Sequence, residues 1–67
     1  MDISIVIPLL NESESLEELS LKIDSVMKRS SFEYEAIYID DGSNDNSWDV
    51  IRNICDKNKS FKAIKFL

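Results

Sequence analysis

Two apolar runs, each ending abruptly in polar residues and each followed by an amphipathic segment, constrain this chain more than any other feature. Ile3-Ser4-Ile5-Val6-Ile7 leads into Pro8-Leu9-Leu10-Asn11-Glu12, and Tyr34-Glu35-Ala36-Ile37-Tyr38-Ile39 leads into Asp40-Asp41-Gly42-Ser43. Near-continuous apolar runs of this length fit strands of a parallel sheet. Pro8 is expected to close the first strand, because proline has no N–H for a ladder, and Leu9 to Glu12 then form a loop. Gly42, the only glycine, marks the second corner.

Between the runs, Leu16, Leu19, Ile23, Val26 and Met27 share one face at helical spacing, while Glu17, Glu18, Lys22, Asp24 and Ser25 fall outside it. The spacing predicts a helix to about Arg29, capped by Ser13 or Ser15, with Leu21 off the stripe at the surface. Ser43 or Asn44 is expected to cap a second helix that turns Trp48, Ile51, Ile54 and Cys55 inward and Asp49, Arg52, Asn53 and Asp56 outward. After a turn from Asp56 to Ser60, Phe61 to Leu67 reads as a third strand. The order β-α-β-α-β with right-handed crossovers predicts an α/β fold of three layers around an open parallel sheet in strand order 3-2-1.

A chain of 67 residues makes one domain at most and buries only about 60% of its unfolded surface. Its net charge of −5 and scattered basic residues argue against a nucleic-acid partner, which needs clustered Lys and Arg. Without histidine, a His-based triad or a Cys/His zinc site is impossible in these residues. The single cysteine, Cys55, reads as a small core residue in a reducing compartment. No apolar run approaches the roughly 20 residues of a spanning helix and no leader pattern opens the chain, so a soluble, cytoplasmic location is expected.

Strand ends in an open α/β sheet are where such folds hold ligands, and this topology brings Asn11 and Glu12 to the same edge as Asp40 and Asp41. A turn glycine, a capping serine and acids near a helix start are ordinary structural devices, and for Ser43 to Ser47 that reading is favoured. Two adjacent carboxylates exceed what one cap requires. Asp41, Ser43, Asp45, Ser47 and Asp49 alternate like a calcium loop, but Asn46 stands where that loop needs glycine and Arg52 where it needs glutamate. The corner from Pro8 to Ser15 has no glycine, which removes a Rossmann dinucleotide site and a Walker loop. The carboxylates that remain are suited to accept hydrogen bonds from base N–H groups and ribose hydroxyls. A diphosphate beside them would need a divalent cation to offset repulsion, and no Asp-x-Asp triplet occurs here.

Ile5-Val6-Ile7-Pro8-Leu9-Leu10-Asn11-Glu12, then a helix, then Tyr38-Ile39-Asp40-Asp41-Gly42-Ser43-Asn44-Asp45-Asn46-Ser47 resemble the opening of family-2 glycosyltransferases of the GT-A fold. The subgroup most similar is the bacterial dolichyl-phosphate-mannose-synthase-like enzymes. The resemblance covers nearly the whole chain but only the first part of such an enzyme. It implies that Pro8, Leu10, Asn11 and Glu12 line the base and ribose, that Asp41, with Asp40 beside it, hydrogen-bonds the base, and that Gly42 and Ser43 shape the turn. Leu10 departs from the aromatic residue many members carry there, leaving apolar packing in place of stacking.

The resemblance further implies an inverting transfer of a sugar from a nucleotide diphosphate to an acceptor, polyprenyl phosphate or a saccharide, at the cytoplasmic face of a membrane. The Asp-x-Asp motif for magnesium or manganese and the catalytic base would follow later, so residues 1–67 are expected to be a partial, inactive nucleotide-sugar-binding domain with no metal of their own. The competing expectation is a small stand-alone binding or interaction module. A phosphoacceptor receiver domain fits poorly, since its acid pair would follow strand one. The resemblance also implies that strand one lies between strand two and a fourth strand not among these residues, so the edge of residues 3–7 is expected to be unpaired here and to support self-association.

Overall fold

The computed structural model describes residues 1–66. Its elements run β1 (Ile3–Leu9), α1 (Ser13–Lys28), β2 (Tyr34–Asp40), α2 (Ser47–Lys57) and β3 (Phe61–Lys65). The strands form one parallel sheet in the order β1-β2-β3, which is the expected α/β architecture. The third strand was expected to reach Leu67, which lies outside the described residues; as seen, it closes at Lys65.

Alternation along the strands decides what each face does. Ile3, Ile5, Ile7 and Leu9 of β1, Tyr34, Ala36 and Tyr38 of β2, and Phe61 and Ala63 of β3 all belong to one core with residues of both helices. Tyr38 stacks on Phe61 with ring centroids 6.0 Å apart, and Tyr34 meets the same ring edge-on at 6.1 Å. Ser4, Val6 and Ile64 point the other way and are exposed. The described residues therefore supply two of the three expected layers, the sheet and one helical layer on a single face.

Pro8 does not end β1, which continues to Leu9. The Ile3 N–H donates to the Glu33 carbonyl at 3.1 Å, and the Leu9 carbonyl accepts the Asp41 N–H at 3.1 Å. In a parallel ladder the residues that share this parity turn both backbone groups toward β2, and those between turn theirs away. Ser4, Val6 and Pro8 thus face the free edge, where the missing proline N–H costs β1 nothing.

The buried stripe of α1 also differs from the apolar spacing. Leu16 and Ser20 are its fully buried residues, Ile23 and Met27 are half-buried, and Leu19 and Val26 are exposed. Ser20 earns its burial through a hydrogen bond between its hydroxyl and the Tyr38 phenol. Leu21 is exposed, as expected. On α2, Ile51 is buried, Trp48, Ile54 and Cys55 are half-buried, and Asp49, Arg52, Asn53 and Asp56 face solvent. Burial raises the Cys55 thiol above its ordinary range, in keeping with a core residue rather than a reactive one.

Candidate functional site

Because β1 and β2 are parallel neighbours with Leu9 opposite Asp40, the two corners that follow them stand side by side. They are stitched together by Asn11. Its backbone adopts a left-handed conformation, φ 52°, which asparagine tolerates better than most side chains. From there its Oδ1 accepts the N–H groups of Asn44 at 2.8 Å and Asp45 at 3.3 Å, and its own N–H donates to the Ser43 hydroxyl at 2.9 Å. One residue on, the Glu12 N–H donates to the Ser47 hydroxyl at 3.0 Å.

Neither helix uses the capping residues expected from the sequence. Glu12 and Asn46 occupy the N-cap positions, without side-chain cap hydrogen bonds, and α2 starts at Ser47 rather than just after Ser43 or Asn44. Ser43 and Asn44 instead belong to the stitched corner. Asp45 serves the start of α2, accepting both the N–H of Ser47 at 2.9 Å and its hydroxyl. That hydroxyl is the main reason the Asp45 carboxyl lies below its usual range, with smaller help from Ser13.

Asp40 and Asp41, adjacent in sequence, have opposite surroundings. Asp40 is completely buried, and its Oδ1 accepts the Ser43 N–H at 2.8 Å. Its Oδ2 is buried without a hydrogen-bond partner among the described residues. Asp41 is exposed, anchored through its backbone N–H to Leu9. Between them and Ser43, Gly42 has φ 90° with open space where a Cβ would sit, so it is the backbone angle that demands glycine. Lys65 lies opposite Asp40 in register and places its ammonium 5.5 Å from the centroid of the Trp48 ring.

The structure thus brings all the candidate residues to one end of the sheet. Asp40, Asn11 and Ser43 are turned into the internal bonding of the corners. Asp41, Glu12 and Leu10 are left exposed, and Pro8 is exposed on the face without helices. Asn11, Glu12, Ser13, Glu14, Ser15 and Asp45 line an acidic depression of about 330 Å³ beside the stitch. Asp45 and Ser47 also take part in the bonding of these corners, although in the sequence they stand only as the run before the second helix; Ser47 is buried one residue ahead of the inward stripe that opens at Trp48. Among the described residues, no group of three or more His, Cys, Asp or Glu side chains is placed to hold a metal ion.

The glycosyl transferase family 2 model matches residues 4–66, which include both corners, β2, β3 and all of β1 but its first residue. The chain belongs to that family. It is similar to an undecaprenyl-phosphate 4-deoxy-4-formamido-L-arabinose transferase of Pseudomonas fluorescens, 47% identical over 51 residues that cover 76% of this chain and 15% of the relative. It is also similar to a dolichol-phosphate mannosyltransferase of Pyrococcus furiosus, 37% identical over 57 residues, covering 85% of this chain and 16% of that protein. A second arabinose-type transferase, from Pseudomonas savastanoi, is 34% identical across 87% of the chain and 17% of its own length. The chain spans about a sixth of the length of these curated relatives.

Proposed function

We propose that residues 1–67 form the nucleotide-binding portion of a glycosyltransferase that moves a sugar from a nucleotide diphosphate sugar to a polyprenyl phosphate. The observation that carries this reading is the division of labour at the sheet end. Asp40, Asn11 and Ser43 hold the two corners together, and Asp41 and Glu12 remain free beside them. A free carboxylate at Asp41 accepts the N–H of a base, Glu12 accepts ribose hydroxyls, and Leu10 packs on the apolar faces of the nucleoside. Neutral donors are what an acid-lined depression selects, because phosphate oxygens would be repelled.

The sugar-transfer step lies outside these residues. In this reading the reaction inverts the sugar by direct displacement, with a carboxylate base and the ligands for magnesium or manganese supplied by further parts of the enzyme. The divalent cation would supply charge neutralisation of the diphosphate leaving group. The residues at hand then bind and orient the nucleoside, and alone they transfer nothing. The names of the polyprenyl-phosphate relatives support the acceptor class, and in this reading the transfer takes place at the cytoplasmic face of a membrane. Within the described residues no helix is long and apolar enough to cross a membrane.

The test is equilibrium binding of a panel of nucleotide sugars to the complete enzyme with magnesium or manganese, beside its Asp41→Ala form. Binding of one nucleotide class, weakened at least about tenfold by Asp41→Ala, is the expected result, since a hydrogen bond to a charged group contributes about 1.5–3 kcal/mol. Absence of binding to every nucleotide sugar, or equal binding by the two forms, overturns the assignment.

A further inference from the structure

Leu9, Asp40 and Lys65 stand side by side in the last row of the ladder, and the backbone pairing runs on by one step beyond them. The Asp41 N–H donates to the Leu9 carbonyl at 3.1 Å, and the Phe66 N–H donates to the Asp40 carbonyl at 2.9 Å. Leu10, Asp41 and Phe66 therefore make a further row across the three strand ends. Alternation fixes which way Asp41 and Phe66 turn. Asp40 is buried against the helices and Lys65 reaches the Trp48 ring on that same side, so Asp41 and Phe66, one residue on, turn to the other. Pro8, Ile39 and Ile64 precede them on that face. Leu10 and Phe66 are 52% and 53% exposed, on either side of an exposed Asp41. Because these places are set by backbone bonds among β1, β2 and β3, they carry over to the complete enzyme.

We infer that Phe66 is the stacking residue for the base of the nucleotide, an inference that rests on the nucleotide reading above. A base presents a polar edge and two flat faces, and each needs its own partner. Asp41 accepts an N–H at the edge; Leu10 and Phe66 take one face each. The spacing fits a single ring between them. Two strand intervals set Leu10 and Phe66 about 10 Å apart, so a ring midway lies about 5 Å from each, within the roughly 4.5–7 Å at which stacked rings sit. Phe66 alone of the pair has an aromatic face, so the larger share of the stacking falls to it. Every base can stack in this way, so Phe66 contributes affinity without choosing the base, and the choice is left to the carboxylate at the edge.

Equilibrium binding of the diphosphates of uridine, guanosine, cytidine and adenosine to the complete enzyme with magnesium, beside inorganic pyrophosphate, tests it. Phe66→Ala is expected to weaken the preferred nucleoside diphosphate about five- to 150-fold, and any other that binds by a similar factor, without weakening pyrophosphate. Phe66→Tyr, which keeps the ring, is expected to recover most of the loss, and Phe66→Leu less. An unchanged affinity in Phe66→Ala, an equal loss for pyrophosphate, or no recovery by Phe66→Tyr overturns the assignment while the nucleotide reading stands. Should Phe66→Ala fail to fold, Phe66→Leu against Phe66→Tyr decides instead, and equal affinities overturn the assignment. Failure of all four diphosphates to bind the unaltered enzyme overturns the nucleotide reading itself, and the role of Phe66 with it.

Discussion

Asn11 concentrates most of the site's geometry in one residue. It combines a left-handed backbone with an acceptor for two N–H groups of the opposite corner, so its backbone and side chain contribute separately. Asn11→Gly keeps the conformation and loses the side-chain bonds; Asn11→Ala loses both. Denaturant unfolding should therefore find Asn11→Ala the less stable of the two by about 1 kcal/mol, the cost of a Cβ in that region. Equal stabilities would show that the positive φ is not maintained. This residue also marks a boundary of what the sequence disclosed. The motif placed Asn11, Glu12, Asp40 and Asp41 at one sheet end, but not which of them solvent would reach. For the acid pair the answer was within reach, because Asp40 shares the parity of Tyr34, Ala36 and Tyr38 and must face the helices with them. For Asn11 it was not, since a reversal to positive φ leaves no periodic trace.

At the level of elements, the α1–β2 join depends on a polar contact inside an apolar layer. Ser20 and Tyr38 are both buried and satisfy one another, so removing either partner strands a hydroxyl. Ser20→Ala is expected to destabilise the chain by about 1–3 kcal/mol, and adding Tyr38→Phe to recover part of that loss; a double substitution worse than Ser20→Ala would contradict the pairing. A second clasp lies at the opposite end of the sheet. Asp24 accepts the Tyr34 phenol at 2.8 Å and the Asn58 amide at 3.1 Å, and pairs with Lys28 at 3.0 Å. The Tyr34 hydroxyl first, then Lys28, hold its carboxyl below the usual range, while partial burial opposes them. A carboxyl depressed by folding adds stability above its unfolded pKa, about 3.9, which is lost as the pH falls through the folded value. Asp24→Asn should therefore be less stable than the original chain at pH 7, with the gap closing as the pH falls below the unfolded carboxyl value and through the depressed folded one; a gap unchanged with pH would place the stabilisation elsewhere. The elements themselves were legible from apolar spacing, yet both Ser20 and the passage of β1 through Pro8 were not. Each depends on what stands opposite, a phenol in one case and an unpaired edge in the other.

At the scale of the whole molecule, the described residues cover the parallel sheet on one face only, whereas such sheets ordinarily carry helices on both. The bare face is divided. Near the start of the strands, Ser4 donates to Glu35 at 2.8 Å and Lys62 reaches the same carboxylate at 3.2 Å, forming a polar strip across all three strands. Toward the carboxyl end the strip gives way to Val6 opposite Ile37, and Ile39 between Pro8 and Ile64. Val6 and Ile64 are 56% and 47% exposed, so this apolar band is open to solvent next to the candidate site. A hydrophobic dye should consequently bind the folded chain and not only its partly unfolded forms. The measurement is dye fluorescence below the thermal transition, with the near-ultraviolet signal of Trp48 showing that packing is intact. Ile39→Thr with Ile64→Thr, both on the bare face, is expected to remove most of the fluorescence while the tryptophan signal persists. Native-state fluorescence no higher than dye in buffer would mean that the band is already covered, and the two-layer account of the isolated chain would then fail.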